Sequence, residues 1–531
     1  MKNSSKFAEE YKKAQFKMKI NLHYILAFVF VLSCSCAGRI SSPKAKYADG
    51  KPDKVLYNLL QGTINNIARL HLAEGKATPF NWAYQIIDST GITIEWNKEV
   101  NTDSFPFARF RISTATDVRE PCVLEILLKD SREKLGEMDI SYATYLQVYE
   151  LILVSREVKN MIKQGVIIRQ IKGKQPQAIF SSKDANIPEV YKPHLMIYKG
   201  ATPGIEEVKR TILKRNMYQP FGWMEGVVMD GLQVLTTSEP AANKSLQNRF
   251  NQYFTDTLFS YTGLNNTPVN NAVMNVETIL PFALFARFHK SHPSLEKAIE
   301  FCKQHQDKNG VISDDPLSAN PIIKTEECYT VSYPLAVIGA TRHDKELQNI
   351  AVTNLMARAA ALADSTEVYQ RTNNKGGREY KNWSRGVAWY LLGFIRSWQQ
   401  LQGHPDRDKV RDEFVRAAEY VMQFQRPDGM WYCFMHEPET GVETSGTAGI
   451  AAALKYAYQL GVLNDKASIS ATKATTALMK FLTPDGLLTG TAQVNKGGEA
   501  LQRSGYRVIS PYTLGFMAYL ISPFNQAEFK N

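Results

Sequence analysis

From residue 204 onward, apolar residues recur three and four positions apart, the spacing of helices that bury one face. Twelve such segments begin near 204, 223, 245, 273, 292, 326, 345, 384, 408, 443, 466 and 509. Loops rich in Gly, Pro, Asn and Asp separate them, for example His305-Gln306-Asp307-Lys308-Asn309-Gly310 and Arg426-Pro427-Asp428-Gly429. Every second segment opens on polar and aromatic residues. These openings are Trp223-Met224-Glu225-Gly226, Asn275-Val276-Glu277 before Pro281, and Thr325-Glu326-Glu327. Trp383-Ser384-Arg385-Gly386, Glu443-Thr444-Ser445-Gly446-Thr447-Ala448 and Ser510-Pro511-Tyr512 complete the series. Twelve alternating helices make six hairpins with their chemistry at one end, which predicts an all-α (α/α)6 barrel with the even-numbered helices inside. A helical solenoid is the alternative, but no sequence repeat of fixed period supports it. No strand signal of comparable strength occurs in this region.

Before residue 200 the pattern changes. Val55 to Glu74 and Ile140 to Lys163 carry helical spacing, whereas Gly91–Trp96, Phe105–Ser113, Val123–Leu128 and Gly165–Ile171 read as strands. A smaller α+β domain is therefore expected over 53–200, ahead of the barrel at 204–525, with the proline-bearing stretch Asn186 to Gly204 as the boundary. Nothing in this first domain carries recognisable chemistry.

Residues 37–52 read as a linker, and 1–36 as a lipoprotein signal. Tyr24 to Leu32 is apolar but too short to span a bilayer. Val31-Leu32-Ser33-Cys34 after it resembles a bacterial lipobox, with Cys34 as the lipidated residue. An ordinary cleaved secretory signal, modification at Cys36 and a start at Met18 are the alternatives. The expected location is the outer membrane, as a lipoprotein, or the periplasm of a Gram-negative bacterium, with membrane contact through the lipid anchor only.

Hydrophobic residues at 44% and charged residues at 22% are ordinary for a globular chain able to bury a large core. Of the formal charge of +11, residues 1–33 supply +4 through six Lys and two Glu. The remaining charges are scattered, with no Lys/Arg block among aromatics, so nucleic acid is not an expected partner. A basic surface suits an acidic substrate only weakly. Cys122, Cys302, Cys328 and Cys433 show no metal-ligand spacing, and no metal or cofactor is expected.

The stretch from about 217 to 522 resembles the unsaturated uronyl hydrolases of glycoside hydrolase families 88 and 105. Trp383-Ser384-Arg385-Gly386-Val387-Ala388-Trp389, Asp428-Gly429-Met430-Trp431 and Glu443-Thr444-Ser445-Gly446-Thr447-Ala448 match that family's late motifs. Trp223-Met224-Glu225-Gly226-Val227 is similar to its first inner-helix opening. Glu277-Thr278-Ile279-Leu280-Pro281 and Glu326-Glu327-Cys328-Tyr329 stand where the family carries its two key aspartates. This chain therefore departs from the pattern with Glu277 and Glu326, with Gln370 at an often-histidine position, and with Ala388 for a glycine. Each Glu extends its carboxylate by one methylene, and a shift of about 1 Å can cost roughly 100-fold in rate.

The resemblance implies release of a 4,5-unsaturated uronic acid from the non-reducing end of lyase-generated oligosaccharides of pectin/rhamnogalacturonan or glycosaminoglycan type. An acid protonates C4 and a water adds at C5. Such an acid needs a raised pKa, which burial beside a second carboxylate provides. Glu326 is the expected acid/base and Glu277 the residue that orients water or substrate. Thr325-Glu326-Glu327 also has the form of an N-cap with acidic first-turn residues, and Glu327 keeps that reading. Arg385 between Trp383 and Trp389 suits a sugar carboxylate, with Arg snorkelling past a core tryptophan as the alternative. Trp223, Glu225, Gln370, Trp431, Glu443, Ser445, Thr447 and Tyr512 complete the candidate substrate-binding set. Two other functions compete: a glycosidase acting on saturated glycosides through a Glu/Glu pair, and a non-catalytic oligosaccharide-binding lipoprotein.

Overall fold

The computed structural model describes residues 57–65, 70–97, 105–200 and 203–523. Cys34, the expected signal and the expected linker lie outside them. Among the described residues, no helix is long and apolar enough to cross a membrane.

The N-terminal region consists of β1 (Tyr57–Gln61), β2 (Thr63–Ile64), β3 (Tyr84–Ile87), β4 (Ile92–Glu95), β5 (Phe107–Ser113), β6 (Val123–Leu128), β7 (Lys134–Asp139) and β8 (Val148–Val154). Helix α1 (Ser155–Gln164) and strands β9 (Val166–Lys172), β10 (Gln177–Phe180) and β11 (His194–Tyr198) follow. One antiparallel sheet runs β1-β11-β5-β8, and a second runs β2-β4-β9-β6-β7. Phe110, Ile112, Leu124, Ile126, Ile168 and Leu195 share one fully buried core with α1 residues Val158 and Met161.

Two helical expectations fail here. Tyr57–Gln61 pairs along β11, from Tyr57 opposite Tyr198 to Gln61 opposite His194. Val148–Val154 is the sheet-edge strand β8, with Leu151 opposite Phe110 and Leu153 opposite Ala108; only Ser155–Gln164 is helical. Long-range pairing overrides a local apolar period that a helix would also satisfy.

The helical region follows the expected alternation. Helices α2 (Ile205–Lys214), α4 (Pro240–Tyr253), α6 (Ser294–Gln304), α8 (Lys345–Leu362), α10 (Arg407–Met422) and α12 (Asp465–Leu478) form an outer set. The inner set is α3 (Trp223–Leu235), α5 (Leu280–Phe288), α7 (Tyr333–Arg342, continuing a π-helical stretch at Cys328–Ser332), α9 (Ser384–Gln400), α11 (Thr444–Gln459) and α14 (Thr513–Ile521); α13 (Gly498–Arg503) is short. Each inner helix packs on the next, and α14 packs back on α3. Inner helices are apolar around their circumference because neighbours cover every face: all of Thr513–Leu520 is buried. The α3–α14 crossing needs glycine on both sides, since a Cβ on Gly231 would lie 2.3 Å from the Gly515 carbonyl oxygen and one on Gly515 2.1 Å from that of Val227. Contrary to expectation, the loops carry small hairpins: β12 (Ser260–Thr262) with β13 (Pro268–Asn270), β14 (Tyr369–Thr372) with β15 (Arg378–Lys381), and β16 (Thr491–Ala492) with β17 (Arg507–Val508).

The two regions are joined, not merely tethered. Trp82, Tyr145, Phe180 and Tyr191 share a core with Val208, Tyr218 and Met224. Arg111 pairs with Asp485 at 2.7 Å, both almost wholly buried, and the Gln147 amide donates to the Ile509 carbonyl at 3.3 Å.

Candidate active site

A cavity of about 220 Å³ gathers Trp223, Glu277, Glu326, Trp383, Arg385 and Trp389 from four of the inner-helix openings. Local backbone pairing sets the acidic side. Lys324 bridges Arg371 of β14, and the Thr325 N–H donates to the Gln370 carbonyl at 2.8 Å, so Gln370 lies against Glu326. Its Nε2 donates to both Glu326 oxygens at 2.9 Å. Glu277 is held by Asn275, whose side chain accepts from the Glu277 N–H at 3.1 Å. Gly222 (φ 116°) opens α3 against this turn, where a Cβ would come 2.8 Å from the Glu277 carbonyl oxygen.

Electrostatics then separate the carboxyl groups. Burial raises the Glu326 pKa above its ordinary value; the Lys324 charge and the Gln370 hydrogen bonds oppose but do not cancel it. Burial likewise raises Glu327 to about 7, against Arg358 at 3.0 Å and Lys324 at 3.7 Å. Lys324 itself is desolvated, yet Glu277 at 3.2 Å, Glu327 and Glu326 outweigh that and hold its pKa raised. One ammonium thus serves three carboxylates. A glutamine amide offers both a donor and an acceptor, so a half-turn satisfies Glu326 in either protonation state. The N-cap reading of Thr325 does not hold, because its buried hydroxyl has no partner among the described residues. Glu327 is a buried ion-paired group rather than an exposed first-turn charge.

The aromatic candidates divide. Trp223 is half-buried and meets Trp389 and Tyr512 edge-on at 5.3 and 4.8 Å. Trp389 and Trp383 line the cavity but are almost wholly buried. Trp431 lies in the core, its Nε1 donating to the Val421 carbonyl at 3.0 Å, and does not line the cavity.

Several polar candidates serve the framework. Glu225 is fully buried, paired with Arg249 and accepting from the Gln219 N–H at 2.7 Å. Glu443 caps α11, accepting from the Ser445 N–H at 2.9 Å and the Gly446 N–H at 2.5 Å, and also from the Ala492 N–H at 2.8 Å. Ser445 and Thr447 donate their hydroxyls back to Glu443. Tyr512 is buried and accepts from Arg385 at 3.3 Å. Arg385 lines the cavity and also holds its wall. Its Nη1 donates to the Ala492 carbonyl at 2.5 Å and its Nη2 to that of Gln493 at 2.7 Å, while the guanidinium lies 4.5 Å from the Trp383 ring centroid. The planar fork grips the 492–493 backbone through both terminal nitrogens.

Sequence reasoning missed Lys324, which directly precedes Thr325-Glu326-Glu327 and was readable there. It also missed a whole wall. Asp117, Arg119, Thr144 and Tyr145 from the N-terminal region line the same cavity, as does Lys496. No local motif marks them.

The family model of Glycosyl Hydrolase Family 88 matches residues 336–522. That span contains Gln370, Trp383, Arg385 and Trp389 but stops short of Glu277 and Glu326. An Unsaturated 3S-rhamnoglycuronyl hydrolase from Alteromonas sp. (strain LOR) is 29% identical over 126 residues, 23% of this chain and 30% of that protein. The chain thus matches under a third of that relative's length. Among solved structures, a possible member of the GH105 family from Salmonella enterica serovar Paratyphi A is 17% identical with a TM-score of 0.51, covering 60% of this chain and 91% of its own. A Glycoside Hydrolase From Family 105 of C. acetobutylicum is 18% identical with a TM-score of 0.51, covering 60% and 98%. These two share the fold. Residues 336–522 of this chain are thus similar to Glycosyl Hydrolase Family 88.

Proposed function

We propose that the chain is a glycoside hydrolase built on a closed (α/α)6 barrel, with the N-terminal region at 53–200 as an accessory domain. In this reading it removes 4,5-unsaturated uronic acids from lyase-generated oligosaccharides. The observation that carries it is the pairing, in one cavity with the half-buried Trp223 indole, of Glu326, whose pKa burial raises, with Glu277 on a lysine. Glu326 delivers that proton to C4 of the enol ether. Glu277 orients a water whose oxygen bonds to C5 and takes up the proton the water releases. The C5 hemiketal opens, and the resulting hemiacetal at C1 expels the second sugar. The family match and the hydrolase name of the Alteromonas relative support this reading; the parent polysaccharide stays unspecified.

Glu326→Gln preserves shape and the Gln370 contact while removing the acid. Turnover, followed as loss of the unsaturated chromophore, falls about 10²–10⁴-fold, with the thermal midpoint nearly unchanged. A variant retaining more than roughly a tenth of wild-type rate excludes Glu326 as the acid. Hydrolysis of saturated glycosides but not unsaturated ones would favour the conventional Glu/Glu glycosidase.

A further inference from the structure

The cavity has a cationic rim that the chemistry above leaves unused. Asp117, on the loop after β5, is nearly buried and ties three segments together. It accepts from Arg119 Nη2 at 2.6 Å, from Lys496 Nζ at 3.3 Å, and from the Tyr145 N–H at 3.2 Å. Its own N–H donates to Asn266 at 2.9 Å, on the turn of the β12–β13 hairpin. One carboxylate therefore holds two cations, one from the β region and one from the loop that Arg385 anchors at 492–493. These three groups alone sum to +1, with Glu277 the next carboxylate in the same cavity lining. Burial lowers the Lys496 pKa and the Arg119 charge adds to that, while Asp117 and, less strongly, Glu277 oppose it. A second anion at this spot relieves that repulsion.

Arg119 is more exposed than the tryptophans that line the cavity, and about as exposed as Glu277. Trp383 and Trp389 are 1% and 2% exposed, whereas the Arg119 side chain is 38% exposed. Arg119 thus stands at the mouth, where a chain leaving the cavity passes. Its guanidinium has Asp117 as its one ion-pair partner among the described residues, which leaves further planar donors on a side chain that lines the cavity.

We propose that Arg119, supplied by the N-terminal β region and supported by Lys496, is a specificity-determining residue that binds an anionic substituent, carboxylate or sulfate ester, on the second sugar of the substrate. This rests on the unsaturated-uronyl reading above, and it gives the β region a role in substrate choice.

The test uses the full chain and three unsaturated uronyl disaccharides whose second sugar is neutral, sulfated or itself a uronate. Arg119→Ala raises KM on a charged substrate so that kcat/KM falls about tenfold, ~1.4 kcal/mol. The neutral substrate changes by less than about twofold by the same arithmetic. Loss on the sulfated or on the uronate substrate tells which anion is read, and Arg119→Lys restores part of it. Equal change on all three, with an unaltered thermal midpoint, overturns the proposal while leaving the hydrolase reading standing. If wild type turns over none of the three, the hydrolase reading fails, and calorimetric titration of the same sugars into wild type and Arg119→Ala decides. Selective weakening for a charged sugar then supports the subsite, and its absence overturns it.

Discussion

Two buried acidic clusters, one inside the helical ring and one at the cavity, meet desolvation in opposite ways. Asp230 on α3 is wholly buried. It accepts from the Tyr333 hydroxyl at 2.9 Å and makes short hydrogen bonds with Tyr329, Tyr519 and Arg396. Arg396 in turn lies between the Tyr333 and Tyr456 rings, 4.8 and 4.7 Å from their centroids. Glu326 has one amide, and a lysine it shares with two other carboxylates. A carboxylate given several donors and its own counterion is fixed in place; one given less has its pKa raised by burial, as Glu326 does. The first arrangement ties the helical ring together, and the second, in the proposed reading, makes an acid.

Breaking the satisfied cluster should therefore cost folding rather than chemistry. Asp230→Ala leaves Arg396 buried without its counterion, a loss of about 3–5 kcal/mol, read as a lower denaturant midpoint. The molecules that remain folded keep their kcat. A large loss of kcat per folded molecule would erase the distinction between the clusters.

Arg385→Ala acts on the border between them. The 492–493 backbone loses a charge-assisted grip, which at about 1.5–3 kcal/mol corresponds to roughly a 10- to 150-fold fall in kcat/KM. Because both terminal nitrogens bond to carbonyls, the loss should be equal on an unsaturated disaccharide and on its carboxyl-reduced analogue. Selective loss on the acidic substrate would restore the direct carboxylate contact.

The smallest change sharpens the comparison. Gln370→Leu removes the hydrogen bonds that hold Glu326 down, so its pKa rises further and the protonated form persists to higher pH. The basic limb of the kcat/KM profile moves upward, while rate at the optimum changes by about tenfold or less. A limb that stays put or moves down contradicts Gln370 as the partner that tunes Glu326.

Sequence pattern carried the helical region because an inner helix and its opening are both local signals: α3 and α9 begin at Trp223 and Ser384, close to where the period predicts. It failed where partners are distant. Val148–Val154 is a strand because β5 lies beside it, and Arg385 serves the backbone because residues more than a hundred positions away fold over it. Glu443 and Glu225 fit a substrate-binding motif as well as they fit a cap and an ion-pair partner, and only their buried neighbours decide. The N-terminal wall is the extreme case. Asp117, Arg119 and Lys496 acquire meaning only when strands and helices meet.

The central claim is that Glu326 keeps its proton above the range of an ordinary glutamic acid. Infrared difference spectra of wild type minus Glu326→Gln, recorded across a pH titration, measure that proton through its carboxyl stretch. A protonated-carboxyl band absent from the variant and persisting above the ordinary value of 4.5 is the predicted result. A band that bleaches at or below that value would show Glu326 ionised during turnover and would contradict its role as the acid.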